Sequence, residues 1–291
     1  MIYTTSNWVG LVDKSRLLTE LSIPGTHDSA AYTLHRISFG YVRTQRWNIR
    51  EQLDNGIRFL DIRCRLIKNV FTLHHGSFYL GLNFGDVLAS CIKFLLDNPT
   101  EFIILSVKKE HTEEDSTMLF HEVMSERYIK KHKDLFFTEN KIPTIKEIIG
   151  KIVLFRRYQG GDLGINATPW RDNNTFTIKN GNYNIHIQDK YSGYSLFDFH
   201  KKREHVAKLI KRARNGKKNE LYINFTNVSD TTVTPRLGAV GNTIRDGLNK
   251  WFADEYETCT TCQLGIIVSD FVDTNKAAMI DVILRSNDDI C

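Results

Sequence analysis

Three short runs of this chain carry side chains able to move protons and hold an anion. Leu21-Ser22-Ile23-Pro24-Gly25-Thr26-His27-Asp28-Ser29 ends an apolar run in a histidine and an aspartate. Phe71-Thr72-Leu73-His74-His75-Gly76 ends another in paired histidines, and Arg58-Phe59-Leu60-Asp61-Ile62-Arg63 lies between them. One imidazole to take a proton, one to give a proton and a guanidinium to hold anionic oxygens form a minimal set for cleaving a phosphodiester without metal. A free imidazole titrates at about pH 6.5, so both protonation states are accessible near neutrality. His27 is the candidate base and needs a carboxylate behind it to fix its tautomer. Asp28 is expected to pair with His75. Asp61, two residues from Arg63 on the same strand face, is expected to orient it or the attacking hydroxyl.

These residues must be held by strands. Runs of strand character cover 21–23, 58–63, 70–74, 102–108, 151–157, 184–189, 221–226 and 264–270. Several are continuously apolar rather than alternating, as in parallel strands covered on both faces. Helical periodicity fits 83–98, 114–130, 195–214, 237–252 and 276–285; Pro99 stops the first, and Asp198 and the basic end of the third agree with the helix dipole. Eight strands with intervening helices predict a single α/β domain over residues 1–291, an irregular (β/α)8 barrel. Helices are missing between the second and third strands and over 158–183. Active sites of that fold lie at the C-terminal ends of the strands. His27, Arg63, His75, Lys108, Arg157, Asp189 and Asp270 all fall at or just past such ends. In a closed barrel the first and eighth strands are neighbours, which brings Asp270 behind His27.

Composition narrows the rest. The 291 residues are 41% hydrophobic and 25% charged, with a net charge of +5, enough for one large core and a mildly basic surface. The basic runs 201–203 and 211–218 read as a solvated helix and its exit, without the aromatic interleaving of a nucleic-acid surface. No stretch is apolar over the length needed to span a bilayer. No basic-then-apolar leader precedes the domain, so the protein is cytosolic or its leader has been removed; secretion is the expectation carried forward. Five cysteines are too few and scattered for a disulfide framework. Cys259-Thr260-Thr261-Cys262 lacks the second ligand pair of a zinc site and is expected to be two loop thiols, with a local disulfide as the alternative. Of the sequons at Asn166, Asn173, Asn224 and Asn227, the third lies in a predicted buried strand.

The segment Pro24 to His27, the Asp61-Ile62-Arg63 strand and Leu73-His74-His75-Gly76, with Asn98-Pro99-Thr100-Glu101 before the fourth strand, together resemble the X domain of phosphatidylinositol-specific phospholipase C in its small bacterial form. The resemblance spans roughly residues 15–285. It implies cleavage of phosphatidylinositol to diacylglycerol and a cyclic inositol phosphate. The hydroxyl beside the phosphate attacks phosphorus from within the molecule, so much of the entropic barrier is removed; slower hydrolysis then opens the ring. It selects His75 over His74 as the acid, leaving His74 to pack in the core, and matches 267–272 to the family's terminal aspartate strand. It implies headgroup contacts from Lys108, Arg157 and Asp189, while Tyr191 could stack on the sugar face. Arg63 stands where calcium-binding relatives place a carboxylate ligand, so the resemblance implies no metal and no cofactor. The implied partners are phosphatidylinositol, with glycosylphosphatidylinositol anchors as a further substrate, and a membrane surface touched peripherally by a monomer. Trp47, Phe78, Tyr79, Val233, Pro235, Leu237 and Val240 are rim candidates, with core packing the stronger expectation for Trp47 and Phe78. Two other classes compete: a metal-dependent glycerophosphodiester phosphodiesterase, and an inositol-lipid-binding module without turnover.

Overall fold

The computed structural model describes residues 4–33 and 40–287. In chain order it contains β1 (Ile23–Thr26), α1 (Ile49–Asp54), β2 (Phe59–Ile67), β3 (Val70–His75), β4 (Phe78–Asn83), α2 (Phe84–Asp97) and β5 (Ile103–Lys109). There follow α3 (Phe120–Val123), β6 (Phe136–Phe137), α4 (Ile145–Ile148), β7 (Ile152–Arg157), β8 (Ile165–Asn166), β9 (Thr175–Asn180) and β10 (Tyr183–Gln188). The chain closes with α5 (Phe199–Arg214), β11 (Glu220–Phe225), α6 (Pro235–Val240), α7 (Leu248–Glu255), β12 (Ile266–Ser269) and α8 (Ala278–Arg285).

The apolar runs form a parallel wall in the order β7-β5-β2-β1-β12-β11-β10. Every residue of β1, β7 and β12 is buried, because helices cover the outer face and side chains fill the inner one. Phe59, Phe155, Trp170 and Phe225 meet edge to face within the barrel, at centroid separations of 5.9–6.5 Å. Gly25 is small for this reason: a Cβ there would lie 3.0 Å from Cβ of Phe59. β1 and β12 are paired neighbours, as a barrel requires.

The cylinder is not closed. β7 is flanked by β6 along its first half and by β8 along its second, while β9 runs antiparallel on the free edge of β10. No ladder joins these edges among the described residues. Side chains cross the seam instead: Asn180 Nδ2 donates to the Asn166 carbonyl at 2.6 Å, and the Tyr183 hydroxyl meets Asn140 Oδ1 at 2.5 Å. Two-residue β6 and β8 are too short to carry the ladder around.

Other expectations shift locally. The first strand begins at Ile23 and runs to Thr26, so His27 follows it directly. The stretch 114–130 is helical only from Phe120, passing into a π-helical turn over Met124–Ile129. The helix expected over 237–252 breaks at Gly241, whose φ of +78° and close approach to the Arg245 carbonyl exclude a side chain. β4 and β9 lie within loop-like sequence, since their exposed residues supply little apolar pattern. Cys259 and Cys262 form a disulfide rather than two free thiols; Cys64 and Cys91 are free and buried, and Cys291 lies outside the described residues. Asn224 is buried, as its strand demands. No described helix is long and apolar enough to cross a membrane.

Candidate active site

Each strand end delivers one piece of the site. His27 follows β1, and its amide donates to the Ser269 carbonyl of β12 at 3.0 Å, which locks the two strand ends together. Its Nδ1 lies 2.8 Å from Oδ1 of Asp270, fully buried just beyond β12. Its Nε2 lies 2.6 Å from Nη2 of Arg63. An arginine can only donate, so Nε2 is the acceptor and the proton sits on Nδ1, facing the carboxylate. This is the tautomer of a base whose lone pair points into the cavity.

Arg63 lies in the middle of β2, yet at the barrel rim. Up to Arg63 and Cys64 the strand pairs with β5; beyond, it leaves the barrel to form a hairpin with β3. The guanidinium is ringed by carboxylates: Nε lies 3.3 Å from Asp61 Oδ2, and Nη1 lies 3.9 Å from both Asp28 Oδ2 and Glu110 Oε1. Burial opposes its charge, but these carboxylates outweigh burial and raise its pKa well above the ordinary value. Asp61 is wholly buried. Burial would raise its pKa, yet Arg63 and Arg157 hold it far below the usual carboxylate range.

His75 closes β3, and Gly76 with φ +59° turns the chain away. Its Nδ1 lies 2.7 Å from Asp28 Oδ2, close enough for an ion pair but poorly aligned for a hydrogen bond. Asp28 itself sits at φ +38°, a left-handed conformation that Asp tolerates better than most residues. That turn carries its carboxylate across to His75 while its amide donates to Asp61 Oδ2 at 3.1 Å. His74 points away, buried against Tyr79.

A cavity of 160 Å³ opens above these groups, lined by His27, Arg63, His75, Lys108, Asp189 and Tyr191 among others. The Lys108 ammonium lies 3.4 Å from both Glu110 and Asp172. Asp189 accepts from Trp170 Nε1 at 2.8 Å. Arg157 is placed differently from its expected role as a hydroxyl ligand. Its side chain is 2% exposed, stacks 3.7 Å from the Trp170 ring centroid and donates to Asp61 Oδ1 at 2.9 Å. It therefore braces the floor rather than lining the cavity. Arg156 points elsewhere, to the Leu163 and Gly160 carbonyls.

Glu110, Asp172 and Asn227 are among the residues of the site that escaped sequence reasoning. Glu110 shares a strand face with Lys108 and accepts from the Gly76 amide at 2.9 Å, so strand alternation could have found it. Asp172 comes from the patternless 158–183 segment. Asn227 follows β11, lines the cavity and has a buried Oδ1 without a partner.

Known proteins resemble this chain in sequence and in fold. The family model described as phosphatidylinositol-specific phospholipase C, X domain, matches residues 21–158. The chain is 32% identical to the 1-phosphatidylinositol phosphodiesterase of Staphylococcus aureus (strain Newman), covering 93% of this chain and 94% of that one. It is 30% identical to the Listeria monocytogenes protein of the same name, over 92% of this chain and 81% of that one. A solved S. aureus phosphatidylinositol-specific phospholipase C, determined in work on modulation of its membrane binding, superposes with a TM-score of 0.87 at 30% identity, covering 98% of each chain. The Listeria enzyme superposes at 0.77 with 27% identity, over 98% of this chain and 99% of that one. The fold is thus of the TIM-barrel type, and the chain belongs to the bacterial phosphatidylinositol-specific phospholipase C family.

Proposed function

We propose that the protein cleaves phosphatidylinositol to diacylglycerol and inositol 1,2-cyclic phosphate without a metal ion, and opens the cyclic phosphate more slowly. The carrying observation is the line Asp270–His27–Arg63, which holds an imidazole lone pair beside a guanidinium at the cavity wall. When the phosphate enters, Arg63 turns its N–H groups from His27 to the non-bridging oxygens. His27 Nε2 takes the proton of the inositol 2-hydroxyl. That oxygen bonds to phosphorus as the bond from phosphorus to the glycerol oxygen breaks, and His75 protonates the departing alkoxide. In the second step the roles reverse: neutral His75 takes a proton from water, and His27 returns one to the 2-oxygen. Lys108, Asp189 and Tyr191 hold the ring, and buried polar groups left unpaired by a headgroup without hydroxyls supply selectivity.

The metal-free reading rests on where Arg63 sits. Asp28, Asp61 and Glu110, the carboxylates that could gather a cation, all face its guanidinium. A lipid substrate also needs an interface. Phe78 and Tyr79 on the β3–β4 hairpin are 40% and 46% exposed, Phe197 after β10 is 71% exposed and Ile244 after β11 is 85% exposed. Phe78 and Tyr79 follow the cavity residue His75, and Arg245, next to Ile244, stacks over the Phe197 ring, so the four are candidates for the interface. Trp47 packs against the core, Val233 is buried and Pro235 lines the cavity, so those rim candidates turn inward.

The test is product analysis with labelled phosphatidylinositol vesicles in excess chelator. Cyclic inositol phosphate appearing first, then the monophosphate, at a rate the chelator leaves unchanged, is the expected result. Loss of activity restored by divalent metal would overturn metal independence, and vesicle binding without turnover would overturn the enzyme reading.

A further inference from the structure

Lys202 is an unusual residue for an outer helix. α5 is strongly basic, and its other lysines and arginines are at least partly solvated, yet Lys202 has no exposed surface. Its side chain passes inward, between the helix and the barrel wall, to the end of β10. There its ammonium donates to the Lys190 carbonyl and, at 3.3 Å, to Gln188 Oε1. The same Gln188 oxygen accepts from the Lys190 amide at 2.8 Å, and Gln188 Nε2 donates to Asn224 Oδ1 and the Phe225 carbonyl, each at 2.8 Å. Asn224 in turn donates to the Val206 carbonyl of α5 at 2.9 Å. Gln188, Lys202 and Asn224 are all buried, and the network centres on the turn that carries Asp189.

Burying an ammonium is costly, and a methionine of similar length would fill the space without that cost. Two features show what the charge serves. First, no carboxylate forms a direct ion pair with Lys202 among the described residues; its bonds go to the turn Gln188–Lys190. Second, the carboxylates its charge acts on are Asp189 and Asp270, which belong to the site. Burial pulls the Lys202 amine below its ordinary value and the Asp189 carboxyl above its own, and their mutual attraction opposes both shifts. Asp189 is also held by Trp170 Nε1 and by its own amide on the Asn174 carbonyl, and the nearby Arg157 charge favours its ionised form.

We propose that Lys202 is a positioning residue for headgroup recognition: it clamps the turn Gln188–Lys190 from behind, and so sets the place of the Asp189 carboxylate that receives an inositol hydroxyl. This rests on the reading of the cavity as a phosphatidylinositol site and extends it to a residue that touches neither cavity nor substrate. A clamp of this kind governs binding of the ring in ground and transition states alike, so its loss falls on KM rather than kcat.

The experiment is a double-mutant cycle on phosphatidylinositol turnover with Lys202→Met, Asp189→Asn and the pair. Lys202→Met should raise KM about tenfold with kcat within about threefold of wild type. In the Asp189→Asn background the same change should move KM by less than about twofold, because the carboxylate it positions is gone. Lys202→Leu, which removes the N–H donors altogether, covers the case in which the methionine variant fails to fold, and should show the same split. An unchanged KM in a folded Lys202 variant, or KM effects that multiply independently of Asp189, overturns the proposal while leaving the enzyme reading intact. Absence of turnover in the wild type overturns the enzyme reading itself.

Discussion

His27 and His75 differ in surroundings more than in kind. His27 stands between a buried aspartate and an arginine; His75 stands beside Asp28 with a side chain 26% exposed toward the mouth. That asymmetry suits one to accept a proton and the other to supply one. His27→Ala and His75→Ala should each lower turnover by about 10²–10⁴-fold while leaving the thermal midpoint near wild type; substantial activity in either variant, measured as cyclic phosphate release, removes that residue from the mechanism. Arg63→Lys should lose about 10²-fold or more, because an ammonium lacks the paired donors for two phosphate oxygens, and a near-normal rate would contradict the phosphate-holding role. Asp61 adds a pH dependence. Its folded carboxyl titrates well below its ordinary value of about 3.9, so its ion pairs stabilise the protein fully above that pH and are lost as pH falls toward the folded value. Denaturant midpoints followed downward from about pH 4 should therefore drop less steeply in Asp61→Asn than in wild type.

At the scale of elements, the site depends on strands that leave the barrel as much as on those that form it. β2 presents Arg63 at the rim and then continues into the hairpin with β3, which returns His75 over the mouth. The segments after β10 and α6 carry the highly exposed Phe197 and Ile244, with Arg245 stacked 4.8 Å over the Phe197 ring. Burying an apolar side chain of this size contributes about 1.5–3 kcal/mol. Replacing both Phe197 and Ile244 by alanine should thus weaken vesicle binding at least about tenfold and leave hydrolysis of water-soluble inositol cyclic phosphate unchanged. Equal loss on both substrates would assign these residues to the fold instead.

At the scale of the molecule, the barrel is stapled at the end opposite the cavity. Arg58 and Glu101 form a fully buried ion pair at 2.6 Å. Arg58 also donates to the Leu53, Ile57 and Ser6 carbonyls, and Glu101 accepts from the Val9 and Gly10 amides, so the N-terminal segment is bound to the barrel floor. Removing one partner strands the other charge in the core. Glu101→Ala should cost about 3–5 kcal/mol in chemical denaturation, with KM unaffected in the folded fraction, since the pair lies away from the mouth. A loss under about 1 kcal/mol would mean that water reaches Arg58.

The sequence by itself determined the kind of residue and its strand. Strand-like runs ending in His27, Asp189 and Asp270 are legible because buried strands are rich in apolar residues, although Asp61, Gln188 and Asn224 are polar groups buried within their strands. The resemblance implies a headgroup contact from Arg157, whose side chain instead braces Asp61 beneath the cavity. What only the tertiary structure decided is what long-range closure controls. The open seam, Asp172 from an unpatterned loop, the Glu110 contact with Gly76 and the burial of Lys202 beneath an outwardly basic helix all depend on which distant segments meet. A helix face reads as solvated from its own charges. Whether one of its lysines is instead drawn inward is settled by the polar groups at the end of a strand that the local sequence does not contain.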